Sequence, residues 1–374
     1  MELIERVKGI LEKYYICDEC LGRQFHNIIP KIRNREKGRI LRTFVLFSYL
    51  HNKEEVKIKK EEECYLCKNM FNKIDFYLNE IKKRLKDYEY NSFLIGSKIP
   101  KELISREEEF WDENGVDFCE AMKSSFNREI GYRLRKETKK KIKFENPDIM
   151  IVVDPEKNEI DLQISPIYIK GSYKKKTKKG KVQKLIENTL VKKSSASESV
   201  FYSIGRLEQN VITSCYRPFI IMLKNPKKRK LGLKKIKQEI NKSKSISVSN
   251  LSYSNKDSLD EMKNEKITAS YLATLEFNKK FGKEEFKEIR KKLISLRNKR
   301  VLQFLKKKTR KPYIRRLRVK VSGKKLIIDV ESTVGFSINS FLKGKIKKLI
   351  GKDFKIKEII LKNYRKMKSH EMYS

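Results

Sequence analysis

The sequence has no run of about 18 apolar residues, the length that a helix needs to span a bilayer. Its N-terminal segment, MELIERVKGILEKYY, places apolar residues at helical spacing and lacks the uninterrupted apolar core of a signal peptide. Both absences argue against insertion in a membrane and against secretion. We therefore expect a cytoplasmic protein with no membrane partner.

Acidic residues are scarce relative to basic ones: 48 Asp and Glu stand against 90 Lys and Arg, and the formal net charge is +42. A globular protein tolerates so much self-repulsion mainly when a polyanion neutralises it, and nucleic acid is the first candidate. A proteome with a general lysine bias would give the same balance, so charge alone names no substrate. With 374 residues and 39% hydrophobic content, the chain can form two or three packed domains and is not a disordered tail.

Cysteines are few but unevenly placed, since four of the six form two Cys-x-x-Cys pairs. Each pair can place two thiolates on one metal ion, and two pairs complete the tetrahedral four-sulfur site that Zn²⁺ prefers. In an intracellular chain this spacing favours metal over disulfides. We therefore predict a structural zinc site, closed to chemistry, with the ligands Cys17, Cys20, Cys64 and Cys67. The alternative is two unrelated pairs of buried thiols; His26, Cys119 and Cys215 are left out of the site.

Hydrophobic periodicity predicts an α+β protein in several segments. Helix-like stretches around the cysteines indicate a helical zinc-binding module over residues 1–88. Alternating strands and helices predict an α+β domain over 89–173, in which IMIVVD and EIDLQISPIYIKGSY form a hairpin. Lysine and serine dominate 174–199, which we interpret as a basic linker or nucleic-acid loop. Residues 200–374, with a long helix from about Lys283 to Lys308, predict a second α+β domain with a mixed or antiparallel sheet.

Lysine and arginine cluster in three loop-like segments, YKKKTKKGK, KNPKKRKLGLKKIK and FLKKKTRKPYIRRLRVK. Such segments can follow a phosphate backbone, and binding through phosphates weakens steeply with salt. Tyr173, Tyr313 and Arg315 are the side chains that we expect to add stacking or specific contacts. The alternative is a set of solvated, lysine-rich faces. None of these contacts reads sequence, and folded RNA is usually recognised by shape.

Several long segments occur in the order found in one known family. CDECLGRQF, CYLC, SFLIGSKIPKELISREEE, MKSSFNREIG, FENPDIMIVVD and LQISPIYIKGSY together cover most of residues 1–173. They resemble the N-terminal half of the archaeal-type tRNA pseudouridine synthase "ten" family. The resemblance implies a zinc-containing, THUMP-related RNA-binding half followed by a pseudouridine synthase fold. It also implies isomerisation of uridines in the TΨC loop of tRNA, binding at the TΨC arm and elbow, and no organic cofactor. Nothing in the sequence indicates an obligatory protein partner.

The second half is similar to the catalytic half of that family but differs at residues that carry its chemistry. GRLEQNVITSCYRPF resembles the family's segment Gly-Arg-Glu-Asp-Val-Asp-Val-Arg, which is followed shortly by Gly-Arg-Pro-Phe. The family's catalytic Asp falls on Glu208, and the second Asp of the motif falls on Asn210. Arg206 and Arg217 match family arginines.

Two further segments of the second half resemble substrate-facing motifs of the family. ASYLA is similar to the strand Lys-Thr-Tyr-Arg-Ala and keeps its aromatic residue as Tyr271. GFSINSF is similar to Gly-Leu-Tyr-Ile-Lys-Glu-Leu, so the family's second tyrosine becomes Ser337 unless Phe336 takes the place of its ring. The resemblance thus implies substrate-binding roles for Tyr271, Ser337, Phe336 and Arg217.

Pseudouridine formation breaks the bond between base and sugar, rotates the base and rejoins it through carbon, after the uridine has been turned out of its stack. The resemblance assigns the catalytic carboxylate to Glu208 and the arginine that fixes it to Arg206. Glutamate adds a methylene to the family's aspartate, and a misplacement of about 1 Å can cost on the order of 10²-fold in rate. Two functions therefore compete: an isomerase that uses Glu208, and a catalytically silent tRNA-binding relative that acts as an RNA chaperone or assembly subunit. A basic ribosome-associated scaffold is a third, weaker alternative.

Overall fold

The computed structural model describes residues 3–28, 31–178, 180–205, 207–305, 308–333 and 335–367. The chain divides into two compact units, Met1–Ser165 and Pro166–Ser374. Buried apolar residues form a core in each unit. Within the described ranges, every helix is too short or too polar to cross a membrane.

The first unit combines helices with a four-stranded sheet, the N-terminal sheet. Its helices are Leu3–Lys13, Asp18–Arg23, Asn34–His51, Ile74–Leu85, Lys101–Asn114 and Met122–Thr138, with a 3₁₀ turn at Met70–Lys73. The strands lie in the order Lys141–Ile142, Ser92–Ser97, Ile149–Asp154 and Glu159–Ile164. The first two pairings are parallel and the last is antiparallel, so the sheet is mixed.

A single apolar core joins the helices near the cysteines to the N-terminal sheet. Val7 and Tyr77, from the predicted helical module, share this core with Phe93, Phe126 and Ile151 from the predicted α+β domain. Alternate residues of the two central strands point into it, because successive side chains lie on opposite faces of a strand. The domain boundary predicted at residue 88 stays a prediction. Residues on its two sides pack in the same core.

The predicted hairpin forms, but its second strand is shorter than expected. Ile149–Asp154 pairs with Glu159–Ile164, whereas Ile167–Lys175 lies in a sheet of the second unit. The chain changes sheets at Pro166, which has no backbone N–H with which to continue the first ladder. The assignment of Ile167–Lys175 to the first hairpin is therefore wrong.

The second unit contains two larger sheets. The central sheet has the order Lys299–Arg300, Tyr313–Ser322, Lys325–Thr333, Ile267–Glu276, Lys355–Lys366 and Ile212–Thr213, and only its last pairing is parallel. The flanking sheet is antiparallel, with the order Glu198–Ser203, Arg217–Lys224, Ile167–Lys175 and Ile246–Ser254. A small hairpin joins Gln303–Leu305 to Lys308–Arg310.

Helices of the second unit accompany these sheets. They are Val182–Ser194, Leu233–Asn241, Lys256–Asn264, Lys283–Ile294 and a continuous helix over 338–350. Helix 338–350 is α-helical at both ends and π-helical over Phe341–Ile346. Together the two units give the predicted fold class, α+β with a mixed sheet in the second half.

The segment predicted as a basic linker, 174–199, contains regular structure instead. It includes the end of strand Ile167–Lys175 and the whole of helix Val182–Ser194. Val182, Ile186 and Leu190 lie at helical spacing and are buried in the core of the flanking sheet. The three lysines of this helix are exposed, and the run of lysines that precedes the helix in the sequence concealed its apolar stripe. The prediction of a linker is wrong for these residues.

The long helix expected from Lys283 to Lys308 ends at Ile294. Asn298 follows in the left-handed region, with φ 56°, and the chain then enters strand Lys299–Arg300. A residue in the left-handed region cannot continue a right-handed helix. The helix predicted from the hydrophobic periodicity therefore extends past the residue at which the helix ends.

Two glycines allow helices Asp18–Arg23 and Asn34–His51 to cross at backbone contact. A Cβ atom on Gly22 would lie 1.7 Å from the carbonyl oxygen of Asn34, and one on Gly38 would lie 1.8 Å from the carbonyl oxygen of Asp18. These neighbours are backbone atoms, which cannot rotate away as a side chain can. Glycine is therefore required at both positions for this crossing.

We predict that Gly22→Ala and Gly38→Ala each destabilise the first unit by on the order of 3 kcal/mol, because the added methyl group forces the two helices apart. Thermal unfolding followed by calorimetry measures the effect. Gly9→Ala is the matched control, since a Cβ on this helical glycine meets no atom within 4 Å. That variant should gain about 0.5–1 kcal/mol from helix propensity. Native-like stability of Gly38→Ala would contradict the close crossing.

Candidate active site and metal centre

The four cysteines of the two Cys-x-x-Cys pairs meet at one point of the first unit. Cys17 and Cys20 belong to the start of helix Asp18–Arg23, and Cys64 and Cys67 to the turn before Met70–Lys73. All four sulfur atoms lie within 4.8 Å of one another, and the Cys17 and Cys67 sulfurs are 3.7 Å apart. A tetrahedral ion with metal–sulfur bonds of about 2.3 Å requires sulfur–sulfur separations of about 3.8 Å. The cluster therefore has the size of a four-thiolate metal site.

Backbone geometry around the second pair of cysteines holds the sulfurs in place. Lys68 and Asn69 are left-handed, with φ of 43° and 57°, and the Asn69 side-chain oxygen accepts the Cys64 backbone N–H at 3.2 Å. The backbone N–H of Cys17 donates to the Cys64 sulfur at 3.2 Å. Such N–H donors stabilise thiolates and orient metal ligands.

The thiol pKa values show how strongly the sulfurs interact. Hydrogen bonds from the Cys17, Cys20 and Cys67 thiols hold the pKa of Cys64 far below its usual range. Burial raises the pKa of Cys20, and its three thiol neighbours raise it further. Four adjacent buried sulfurs cannot all carry negative charge unless a cation lies among them. The donor set thus fits a divalent metal ion.

Arg23 is a buried cation beside this cluster that sequence reasoning missed. Its guanidinium forms an ion pair with Glu107 and donates to the Glu120 carbonyl oxygen at 3.2 Å. Burial alone would lower its pKa, but the charges of Cys20, Glu107 and Cys67 keep that pKa above its ordinary value. A divalent ion with four thiolates has a net charge of about −2. Arg23 therefore offsets part of a charge that would otherwise be buried without compensation.

We predict that the purified chain contains about one metal ion per molecule. Cys20→Ser and Cys64→Ser should each lose the ion and lower the unfolding temperature of the first unit, because three sulfurs cannot close the site. Elemental analysis and thermal unfolding measure both effects. Cys119→Ser is the matched control, since its thiol lies in the same unit, is partly buried and belongs outside the cluster. A native chain that is stably folded without metal would contradict the assignment.

Glu208 lies in the second unit, at the N-terminus of helix 338–350. Its Oε2 accepts a hydrogen bond from the backbone N–H of Asn339 at 3.3 Å and another from the Asn339 side-chain amide. Ser337 caps this helix, so Asn339 belongs to the first turn, where backbone N–H groups are unpaired. The positive end of the helix dipole therefore faces the carboxylate.

Asn210 completes this network of polar side chains. The Asn339 Nδ2 donates to the Asn210 Oδ1 at 2.6 Å, and the Asn210 Nδ2 donates to the Asn339 Oδ1 at 2.9 Å. The family motifs quoted above have aspartate and lysine at these two positions. This chain therefore has two neutral amides where opposite charges would stand.

Tyr271 and Phe336 supply aromatic rings close to Glu208. Tyr271 is buried on the central strand Ile267–Glu276, and its ring centroid lies 5.9 Å from that of Phe336. Burial raises the pKa of Tyr271 to about 12; the charge of Arg217 opposes this rise and that of Glu208 adds to it. The charges of Glu208 and Arg217 thus both act on the Tyr271 phenol, and the ring of Phe336 lies beside it.

Arg217 supports the backbone that leads to Glu208. It is 3% exposed, and its Nη2 donates to the carbonyl oxygens of Ile204 and Gly205, the second at 2.9 Å. Its guanidinium also lies 5.7 Å from the ring centroid of Tyr173. These contacts fix the approach to residue 208. The second predicted catalytic residue, Arg206, lies outside the described residues.

Ser337 has a structural role at the start of helix 338–350. Its hydroxyl oxygen accepts the backbone N–H of Ser340 at 3.2 Å and caps helix 338–350. Its backbone N–H and carbonyl pair with the side chain of Gln303 at 2.8 and 3.0 Å. A substrate contact by Ser337 stays a prediction, whereas the ring contact between Phe336 and Tyr271 favours the one-residue shift that puts Phe336 in the aromatic position.

The three side chains expected to assist RNA binding differ in exposure. Tyr173 is 3% exposed and packs against Phe201 and Phe219, so the expectation that it stacks on RNA is wrong. Its ring belongs to the core of the flanking sheet. Tyr313 and Arg315 are partly exposed and stay candidates for such contacts.

Comparison with known proteins gives the family. Residues 77–154 match the model of the Pus10 THUMP domain, archaeal, and residues 157–352 match that of the Pus10 C-terminal region. The tRNA pseudouridine synthase Pus10 of Pyrococcus furiosus is 31% identical over 302 residues, 78% of this chain and 76% of that protein. This chain belongs to the Pus10 family. Pus10 of Thermofilum pendens is 26% identical, over 92% of this chain and 89% of that protein.

The membership confirms the resemblance and the fold predicted from it. The THUMP match begins within helix Ile74–Leu85, which the predicted domain division had placed in the helical module. Tyr77 and Leu78 of this helix pack in the same core as the N-terminal sheet, which explains why the Pus10 THUMP domain includes it. A solved Cbf5-Nop10-Gar1 complex is 11% identical with a TM-score of 0.33, over 52% of this chain and 48% of that chain, too distant to add to the family relationship.

Proposed function

We propose that this chain is a tRNA pseudouridine synthase that isomerises uridines in the TΨC loop, with Glu208 as its catalytic carboxylate. The observation that carries the proposal is that Asn339 holds Glu208 at the N-terminus of helix 338–350, just after Phe336, whose ring lies against Tyr271, in the region matched by the Pus10 C-terminal model. The relatives from Pyrococcus furiosus and Thermofilum pendens bear the name tRNA pseudouridine synthase, which supports the same activity and substrate here.

We assign a separate role in the reaction to each of these residues. Both hydrogen bonds from Asn339 reach the same oxygen of the Glu208 carboxylate, Oε2, and the proposal assigns the step on the sugar to this carboxylate. Phe336, 9% exposed and next to Tyr271, provides a ring against which a uracil turned out of its stack can rest. Arg206 retains its proposed role of fixing the carboxylate. Binding energy from phosphate contacts offsets the few kcal/mol needed to unstack the base.

The proposal includes a structural Zn²⁺ held by the four cysteines of the first unit and no organic cofactor. Zinc is the ion that a closed, tetrahedral, four-sulfur site favours. Because all four ligand positions are sulfur, the ion would stabilise the RNA-binding half and take no part in the isomerisation. The tRNA would be bound at its TΨC arm and elbow, in the cytoplasm, without an obligatory protein partner.

A catalytically silent tRNA-binding protein is the second candidate, because of the residues at positions 208, 210 and 339. Glutamate in place of aspartate moves the carboxylate, and the neutral Asn210 and Asn339 replace charged residues around it. An RNA chaperone or assembly subunit would need the basic surface and the folded first unit. It would not need a carboxylate positioned for catalysis at residue 208.

We expect the native chain to convert uridine to pseudouridine in unmodified tRNA, and Glu208→Gln to lower the rate roughly 10²–10⁴-fold, because the amide cannot act as base or nucleophile. Glu208→Asp should lower it about 10²-fold, since the shorter side chain leaves its hydrogen-bond partners at Asn339. Pseudouridine mapping with purified protein measures all three, and also identifies the uridine.

Glu284→Gln is the matched control for these variants, because it removes an exposed glutamate on helix Lys283–Ile294 of the same unit. It should keep the native rate. No product from the native chain, with product from Glu208→Asp, would overturn the isomerase and support the silent binding protein. Equal tRNA affinity of all variants would show that only chemistry had changed.

We also expect tRNA binding to depend steeply on salt. Each neutralised phosphate contributes a slope of about −0.9 in log affinity against log salt for duplex contacts, so several contacts give a steep decline. Fluorescence anisotropy across a salt series measures the slope. Random duplex RNA and heparin are the controls, and equal affinity for all three polyanions at physiological salt would contradict tRNA as the specific partner.

A further inference from the structure

Asn339 joins the two other polar side chains of the candidate active site. Its side-chain nitrogen donates to the Glu208 carboxylate and, at 2.6 Å, to the Asn210 Oδ1. Its side-chain oxygen accepts from the Asn210 Nδ2 at 2.9 Å. An amide nitrogen has two hydrogens, so both donors of Asn339 are engaged.

This arrangement fixes which way the Asn339 amide points. A rotated amide would place its carbonyl oxygen against the Glu208 carboxylate and would also face the Asn210 Oδ1, so both donor contacts would become repulsive. The Glu208 carboxylate therefore selects the orientation in which the Asn339 nitrogen faces it, and the reciprocal pair with Asn210 fits that orientation. The backbone N–H of Asn339, 3.3 Å from the same carboxylate oxygen, adds a second donor from the helix terminus.

The fold in turn fixes the position of Asn339. Ser337 caps the helix that carries it, and Gln303, itself buried, binds both the backbone N–H and the carbonyl of Ser337. Ile338 is buried in the core of the central sheet, which prevents rotation of the first turn. Asn339 thus stands on a rigid element, as a group that places another side chain must.

We propose that Asn339 is a positioning residue of this site: its amide, paired with Asn210, sets the place of the Glu208 carboxylate. The inference rests on the proposed isomerase activity for its catalytic consequence, but the contact itself exists independently of turnover. Neutral donors hold the carboxylate without neutralising it as a bonded cation would. The longer glutamate and the two asparagines thereby act as one unit.

The test exchanges donor and acceptor across the contact. Asn339→Asp puts a second carboxylate against Glu208 and should lower the unfolding temperature of the second unit by about 2–4 °C. Glu208→Gln removes the charge at position 208. When both substitutions are combined, the new amide at position 208 can donate to the new carboxylate at position 339. Because the Asn210 Oδ1 still faces the new carboxylate, we expect the combined variant to recover part of the lost stability: its unfolding temperature should fall by less than the sum of the two single effects. Asn188→Asp, on the exposed side of helix Val182–Ser194, is the control for the added charge.

Activity supplies the second readout. Asn339→Asp and Asn339→Ala should each lower kcat about 10²-fold with tRNA affinity unchanged, because the carboxylate is displaced and the RNA-binding surface is not. The combined variant should stay inactive although part of its stability is recovered, since its carboxylate stands at the wrong residue.

The outcomes separate the inference from the proposed function. If the effects of Glu208→Gln and Asn339→Asp on the unfolding temperature are additive, the contact is absent and the inference fails. If they compensate but Asn339→Ala keeps the native kcat, the contact exists without positioning the carboxylate, and the inference again fails. If the native chain makes no pseudouridine, the proposed function fails, and the compensation alone decides whether Asn339 holds Glu208.

Discussion

Charge that is taken out of water needs a partner of fixed geometry, and this requirement shapes both functional regions of the chain. In the first unit four sulfurs and the fully buried Arg23 lie together, and Glu107 receives the guanidinium. In the second unit Arg217 donates to two backbone carbonyls, and Glu208 accepts from the first turn of a helix. Each buried or half-buried charge thereby fixes the backbone segments that supply its partners.

The sulfur cluster links elements that are distant in sequence. It joins helix Asp18–Arg23 to the turn at 64–67, while Arg23 ties the same helix to Glu107 on helix Lys101–Asn114. The carboxylate of Glu107 also accepts the backbone N–H of Met122, at the start of the next helix. A metal ion in the cluster would therefore stabilise the layer of helices that covers the N-terminal sheet, which is why its loss should affect the whole unit.

Most of the positive charge stays in water, where ion pairs contribute little. Pairs such as Lys82 with Glu137 and Lys224 with Glu198 are exposed, and 48 acidic residues cannot neutralise 90 basic ones. The surplus is compatible with a stable fold because it lies on the surface, and it favours a polyanionic partner. Family membership and surface charge therefore both favour RNA as the binding partner.

The helices and strands that were predicted correctly are those whose hydrophobic periodicity is regular along the whole element. The strand Ser92–Ser97 alternates strictly, and helix Met122–Thr138 has an apolar stripe, so both follow from neighbouring residues alone. Helix Val182–Ser194 was missed because a run of lysines precedes it in the sequence, and the early end of helix Lys283–Ile294 depends on a left-handed Asn298. A left-handed conformation is chosen by the surrounding packing as much as by residue type.

The sequence by itself determined the family, the α+β class and the four cysteines that meet in one cluster, and it predicted the positions that replace the family's catalytic residues. These depend on residue type and spacing along the chain. Only the tertiary structure showed that Arg23 lies against the sulfur cluster, that Tyr173 is buried, and that Asn339 holds Glu208. Those facts depend on burial or on contacts between residues that are far apart in the chain. A hydrogen bond between residues 208 and 339 leaves no local pattern, because its geometry exists only after the sheet and helix have packed.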